Sequence, residues 1–149
     1  TSNVIISGTV LQAVSLGVGT TASGVTGEIR AANNITAYYS SDIRLKKNVV
    51  PIENALDSMD KIRGVRFEWT DDYIQQHGGE DDYFNRRHDV GVIAQEVEKV
   101  FPGLVQDSFH EASDGNTYKV VKHSVMEFIL IKAVQELSAE LNALKAKLN

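Results

Sequence analysis

The sequence predicts an α+β fold: a small mixed domain that ends in a long self-associating helix and is preceded by a short β-rich segment. Three observations carry this reading. Residues 1–40 hold 5 of the 11 glycines, many serines and threonines, and only Glu28 and Arg30 as charged groups. Residues 41–121 mix helical and strand periodicities. Residues 122–149 carry an apolar heptad up to the last residues.

The length of 149 residues suffices for one domain with a real core. The hydrophobic fraction of 42% and aromatic fraction of 7% are ordinary for a soluble chain. There is no cysteine, which excludes disulfides and thiolate metal sites. Fifteen basic residues against 20 acidic ones give a net charge of -5, which argues against broad nucleic-acid binding. No apolar run is long enough to cross a membrane, and no signal peptide is evident. No nucleic-acid or membrane partner is therefore expected. Thr1 in place of Met implies an excised or processed piece of a longer chain.

In residues 1–40, Val4 to Ile6, Val10 to Leu16, Val25 to Ile29 and Ile35 to Tyr39 read as short strands separated by glycine or small polar residues. So glycine-rich a segment has little side-chain mass for a core of its own, and its strand edges need cover. It is either a flexible linker or the end of a larger β structure stabilised by neighbouring chains.

In residues 41–121, Pro51 suits a helix start, with Ile52, Ala55, Leu56, Met59 and Ile62 at helical spacing and Gly64 as a stop. Val65, Phe67 and Trp69 alternate with polar residues, as in a strand with one buried face. Asp71 to Asp89 reads as a long polar excursion. Val90, Val92 and Ile93 predict a strand, and Ala94 to Phe101 a short helix closed by Pro102 and Gly103. Tyr118, Val120 and Val121 predict a last strand after a turn at Asp114–Gly115–Asn116.

In residues 122–149, Leu130, Val134, Leu137, Leu141, Leu144 and Leu148 are spaced 4, 3, 4, 3 and 4, an a/d seam flanked by Lys132, Glu136, Glu140, Lys145 and Lys147. One alternative is an amphipathic helix packed on its own domain. The regular seam, with no later element to cover it, favours self-association. The spacing does not set the number of chains.

These residues also carry a resemblance. Ser41–Asp42, Arg44–Leu45–Lys46, Phe67–Glu68–Trp69, Gly91 to Val97, Phe101–Pro102 and Gln135–Glu136–Leu137 stand in an order and spacing similar to the C-terminal intramolecular chaperone domain of phage tail fibres, tailspikes and neck appendages. That self-cleaving serine/lysine peptidase domain also occurs in a membrane-bound myelin-regulatory transcription factor. Gly27 to Arg30 and Ala31 to Tyr39 resemble the fibre-side sequence that precedes it. His123 stands where the family pattern expects an aromatic residue.

The resemblance implies a domain organisation: residues 1–40 as the C-terminal end of an intertwined β-structured fibre, 41–121 as the chaperone and autoprotease module, and 122–149 as the trimerisation helix in a trimeric coiled coil. Two further copies of the chain and the upstream fibre segment are the implied partners. Assembly would take place in the host cytoplasm, with the mature fibre on the virion tail. No cofactor is implied. Ser41 is the implied nucleophile on the carbonyl of Ser40, and Lys46 the base. A serine hydroxyl needs a base to become nucleophilic, and lysine acts as one only when partial burial neutralises it. Their spacing is not that of one helix face, so a turn at Asp42–Ile43 would have to bring them together. Taken as residue types alone, Ser40–Ser41–Asp42 is a turn or cap, and Arg44, Lys46 and Lys47 form a solvated basic patch. Lys47 is the rival base.

Asp71, Asp72, Glu80, Asp81 and Asp82, with His77 and His88 nearby, form an acidic run that lacks the spacing of a calcium loop. A solvated loop or salt-bridge surface, with Arg86, Arg87 and His88 as partners, is the simpler expectation. No metal site is expected there or at His110 and His123. Gly91 begins no dinucleotide fingerprint. Trp69 and Phe101 are expected in the core, and Gln95–Glu96 on a helix surface or interface. A non-cleaving trimerisation module and a receptor-binding tip built on residues 71–89 are the alternative functions.

Overall fold

The computed structural model describes residues 8, 11–108 and 115–148. The expected strand at Val4 to Ile6, the start of Val10 to Leu16, His110 and Asp114 lie outside them. The described residues form a small α+β arrangement of short strands and a long C-terminal helix. They fall into two compact units, one made of residues up to Ser41 with Phe67–Asp89, the other of Asp42–Arg66 with Val90 onward.

In the first unit, β1 (Leu16–Val18) and β2 (Ile29–Ala31) pair in parallel, with Leu16 opposite Ile29 and Val18 opposite Ala31. The pair is extended by the Gly27 N–H donating to the Val14 carbonyl at 2.7 Å and the Ala32 N–H to the Val18 carbonyl at 2.9 Å. Gly17 is required here: a Cβ would collide with the backbone of Thr20 to Ala22, which folds back over it. Ile35 to Tyr39, an expected strand, forms no regular element and lies exposed. β-prone side chains do not make a strand without an edge to pair with.

The excursion expected over Asp71 to Asp89 instead begins with helix α2 (Asp71–Gln76). The Thr70 hydroxyl accepts the Tyr73 N–H at 3.2 Å, Asp71 and Asp72 occupy the first turn, and Ile74 is buried. Acidic residues at a helix N-terminus complement the exposed N–H groups there. Gly78 and Gly79, at φ +93 and +88, close the helix, with the Gly79 N–H reaching the Ile74 carbonyl at 2.9 Å. Asn85 is the buried polar hub of the turn that follows: its amide donates to the carbonyls of Ile74, His77 and Gly79.

In the second unit, α1 (Ala55–Met59) is shorter than expected and starts after Pro51 rather than at it. Asn54 adopts a left-handed conformation at φ 52, so the helix can begin only beyond it. Turns through Lys61 and Ile62 follow Met59, and Gly64 lies ahead of the next strand instead of ending the helix. β3 (Val65–Glu68) alternates half-buried and exposed residues as expected, but ends before Trp69. It pairs with β4 (His88–Gly91), which starts earlier than the apolar residues from Val90 implied. The boundary between the two units passes through both strands.

α3 (Ala94–Val100) matches the expected helix, buries Val97 and ends at Phe101 and a 3-10 turn over Pro102–Leu104. β5 (Val105–Asp107) and β6 (Lys119–Val121) pair antiparallel. Lys119 of β6 meets Glu98 of α3 at 2.7 Å. α4 (Met126–Leu148) follows a 3-10 turn at His123–Val125. Ala55, Ile129 and Ala133 form a small core with Leu56, Met59, Phe101 and Leu104 packed against it. The Glu136 carboxylate accepts the free N–H of Leu56 at 2.9 Å, at the start of α1.

Candidate functional site

Ser40 and Ser41 lie in exposed, irregular backbone, directly before a 3-10 turn at Ile43–Leu45. Asp42 opens that turn. Its Oδ1 accepts the Arg44 N–H at 2.8 Å and the Arg44 Nε–H at 3.0 Å, and its Oδ2 accepts from Nη2 at 2.7 Å. This side chain–backbone bond is the physical reason the chain folds here. The Arg44 side chain and N–H hold the Asp42 carboxyl below its ordinary range. Arg44 is thus spent within its own turn.

Lys46 closes the turn, its N–H donating to the Ile43 carbonyl at 3.1 Å, and then leaves in extended conformation. A 3-10 turn at Ile43–Leu45 thus lies between Ser41 and Lys46 in the chain. Both are exposed, as is Lys47. The apolar side chains nearest to them in sequence, Ile43, Leu45, Val49 and Val50, are exposed as well.

The seam residues Leu130, Val134, Leu137, Leu141, Leu144 and Leu148 are all exposed along α4. The face offset by one residue, Ile129 and Ala133, is the one buried against α1. Beyond Glu136 every described residue of the helix is exposed. The self-packed alternative therefore applies to one face of the first turns and not to the heptad seam.

The acidic run is used locally. Arg87 pairs with Asp71 at 2.7 Å and Glu80 at 3.5 Å, and His88 lies 3.4 Å from Glu68. Asp81 Oδ1 accepts the N–H groups of Tyr83, Phe84 and Asn85, and the Asn85 bond leads in holding its carboxyl below the usual range. Among the described residues no group of His, Cys, Asp or Glu converges as a metal site. Trp69 is a stacking partner rather than a fully buried core residue: Trp69, Tyr73 and His77 stack with centroids 3.9 and 3.9 Å apart, and Phe67 meets Trp69 edge-on at 4.8 Å. Spacing of four along α2 puts Tyr73 and His77 on one face. Glu96 joins α3 to Arg63, accepting its N–H at 3.2 Å and its Nε–H at 2.9 Å.

Arg30 was not singled out by its sequence context. Its side chain, 12% exposed, pairs with Glu28 at 2.7 Å and Asp81 at 3.5 Å, donates to the His77 carbonyl at 3.0 Å, and stands 5.4 Å from the centroid of the Phe84 ring. Apart from Glu28, the partners lie about fifty residues further along the chain, beyond the reach of local pattern.

Residues 41–106 match a peptidase family described as chaperone of endosialidase. The chain is 38% identical over 125 residues to the long tail fiber protein Gp37 of Enterobacteria phage K3, and equally to that of Enterobacteria phage T2, a span of 82% of this chain and 9% of those proteins. The chain thus spans less than a tenth of the length of these relatives. It is 27% identical over 132 residues to the myelin gene regulatory factor-like A protein of Dictyostelium discoideum, covering 85% of this chain and 14% of that one. A crystal structure of a novel intramolecular chaperone aligns with a TM-score of 0.48 and 21% identity, over 67% of this chain and 99% of that one. Residues 41–106 are thus similar to the chaperone of endosialidase family, and most of the chain is similar to a short part of phage long tail fiber proteins.

Proposed function

We propose that residues 41–149 are an intramolecular chaperone that joins three chains, sets the upstream segment in register as part of a phage tail fibre, and then cuts itself off between Ser40 and Ser41. The observation that carries this reading is the match of residues 41–106 to the chaperone of endosialidase family, whose first matched residue is the proposed nucleophile. The relatives named as long tail fiber proteins support the fibre assignment. The heptad seam on α4 supports self-association: its residues are 47–78% exposed, so covering each one contributes only part of the roughly 1.5–3 kcal/mol of a full burial. Joining chains first lowers the entropic barrier to non-local strand pairing upstream.

In the proposed cut, Ser41 Oγ attacks the Ser40 carbonyl carbon while the neutral Lys46 amine takes the hydroxyl proton. The Ser40–Ser41 C–N bond breaks, the Ser41 nitrogen is protonated, and an ester to Ser41 Oγ remains. Water then hydrolyses the ester, leaving a Ser40 carboxylate and the Ser41 hydroxyl. A lysine does this work only out of water. Lys46 is exposed in the single chain, as are its apolar sequence neighbours Ile43, Leu45, Val49 and Val50. Covering those side chains by assembly would supply the dry environment, which ties the chemistry to association. Once the template is gone, the fibre is trapped kinetically.

Intact-mass measurement on freshly made protein tests the reading. Wild type yields fragments beginning at Thr1 and at Ser41, while Ser41→Ala and Lys46→Ala each stay uncut with assembly retained. Cleavage by purified Lys46→Ala protein rules out the general base. An uncut wild type that still assembles supports instead the non-cleaving trimerisation module.

A further inference from the structure

We infer that the turn at Asp81–Phe84 is a latch that keeps the upstream segment bound after the Ser40–Ser41 bond is cut, so that release of the chaperone requires a second, non-covalent step. The inference rests on the proposed cut. Arg30 lies before that bond, whereas His77, Asp81 and Phe84 lie after it, and all of them belong to one compact unit.

The Arg30 guanidinium is engaged along its whole edge. Nε meets Glu28 at 2.7 Å, Nη1 meets Asp81 at 3.5 Å, Nη2 donates to the His77 carbonyl at 3.0 Å, and the Phe84 ring covers one face. The Tyr83 hydroxyl adds a 3.4 Å bond to the Ala32 carbonyl. Glu28 keeps the guanidinium oriented. A planar fork that serves a carboxylate, a carbonyl and a ring together is work that a lysine cannot do. The turn is built to receive it: Asp81 Oδ1 holds the backbone of Tyr83 to Asn85, while Oδ2 faces Arg30. None of these contacts depends on the continuity of the chain at Ser40. Cutting the bond therefore leaves the latch in place.

The test is native chromatography of the full chain after self-cleavage, with a denaturing mass measurement to score the cut. If the chain does not cut itself, the proposed cut fails; a site-specific protease sequence placed between Ser40 and Ser41 then makes the nick, and the latch is tested all the same. In wild type at about 0.15 M salt the two fragments co-elute, and about 1 M salt speeds their separation. Arg30→Ala speeds separation about tenfold or more, Arg30→Lys less, and Phe84→Leu, which keeps every charge, about two- to fivefold. Unchanged circular dichroism of the uncut variants excludes misfolding. Fragments that separate as fast in wild type as in both Arg30→Ala and Phe84→Leu overturn the latch.

Discussion

Residues 11–40 and the helix α4 both leave apolar side chains in water, but they do so for different reasons. Along α4, Leu137 and its seam neighbours are exposed on a helix whose backbone groups bond to one another. Upstream, Ile35 and Tyr39 are exposed and Tyr38 is 96% accessible, on backbone that forms no regular element. A helix is complete before it meets a partner and can present a ready seam, whereas a strand acquires its hydrogen bonds only with the partner. Under the proposed function, the helix would therefore associate first and the strands follow.

The largest expected effect comes from breaking the helical side of this comparison. Leu137→Asp with Leu141→Asp puts charges in the middle of the proposed seam. Light scattering should show the assembly reduced to single chains, and cleavage should fall with it. Because both positions are exposed in the single chain, its stability should change by no more than about 1 kcal/mol for the pair. Persistence of the assembly would remove the seam from the proposed function.

Nearer the start of the same helix, at Ile129, the expected result reverses. Ile129 is buried against Ala55, so Ile129→Ala should cost about 2–5 kcal/mol in denaturant unfolding of the single chain. A loss below about 1 kcal/mol would mean that the α1–α4 core contributes little.

These two faces differ in how far the sequence disclosed them. The heptad spacing pointed to the exposed seam, and α3 was marked by Pro102 and Gly103 beyond its end. Periodicity is local information and survives in one chain. α2 was missed because its polar composition resembled a loop, although Thr70 followed by Asp71 and Asp72 is a helix-start signal. Ile35 to Tyr39 shows the opposite error: β propensity was legible, but pairing depends on an edge that propensity does not describe. At the proposed cut, the Asp42 cap and the turn behind it follow from residue types, whereas Asn85 and the Arg30 contacts depend on distant chain segments brought together.

Upstream, Gly17→Ala tests how much structure the single chain holds before any partner arrives. The new methyl group collides with the backbone of Thr20 to Ala22, a local cost of about 1–3 kcal/mol. Hydrogen exchange at the Ala32 N–H, which bonds to Val18, should accelerate, while exchange along α4 should not. Unchanged exchange at Ala32 would mean that β1 and β2 do not rely on this close approach.

The smallest effect expected is on acidity, and it too separates the regions. Burial raises the Glu28 carboxyl, but the Arg30 guanidinium and the Ser23 hydroxyl outweigh it, with a lesser contribution from His77, and the net shift is downward. The Asp81 carboxyl is also lowered, first by the Asn85 N–H, then by those of Tyr83 and Phe84 and by the Arg30 charge. Groups lowered in the folded state stabilise it above their ordinary range, near pH 4, and that contribution fades as the pH falls through the folded values. Acid should therefore loosen the Arg30 contacts below about pH 4, with exchange at the Tyr83 and Phe84 N–H groups rising relative to neutral pH. Arg30→Ala should reduce that dependence, because it removes the charge that both carboxylates share. The leucine seam of α4 contains no titrating group of its own, so its exchange pattern should change least over the same interval. Equal acid sensitivity in both regions would point to global unfolding rather than to a local loss of these carboxylate contacts.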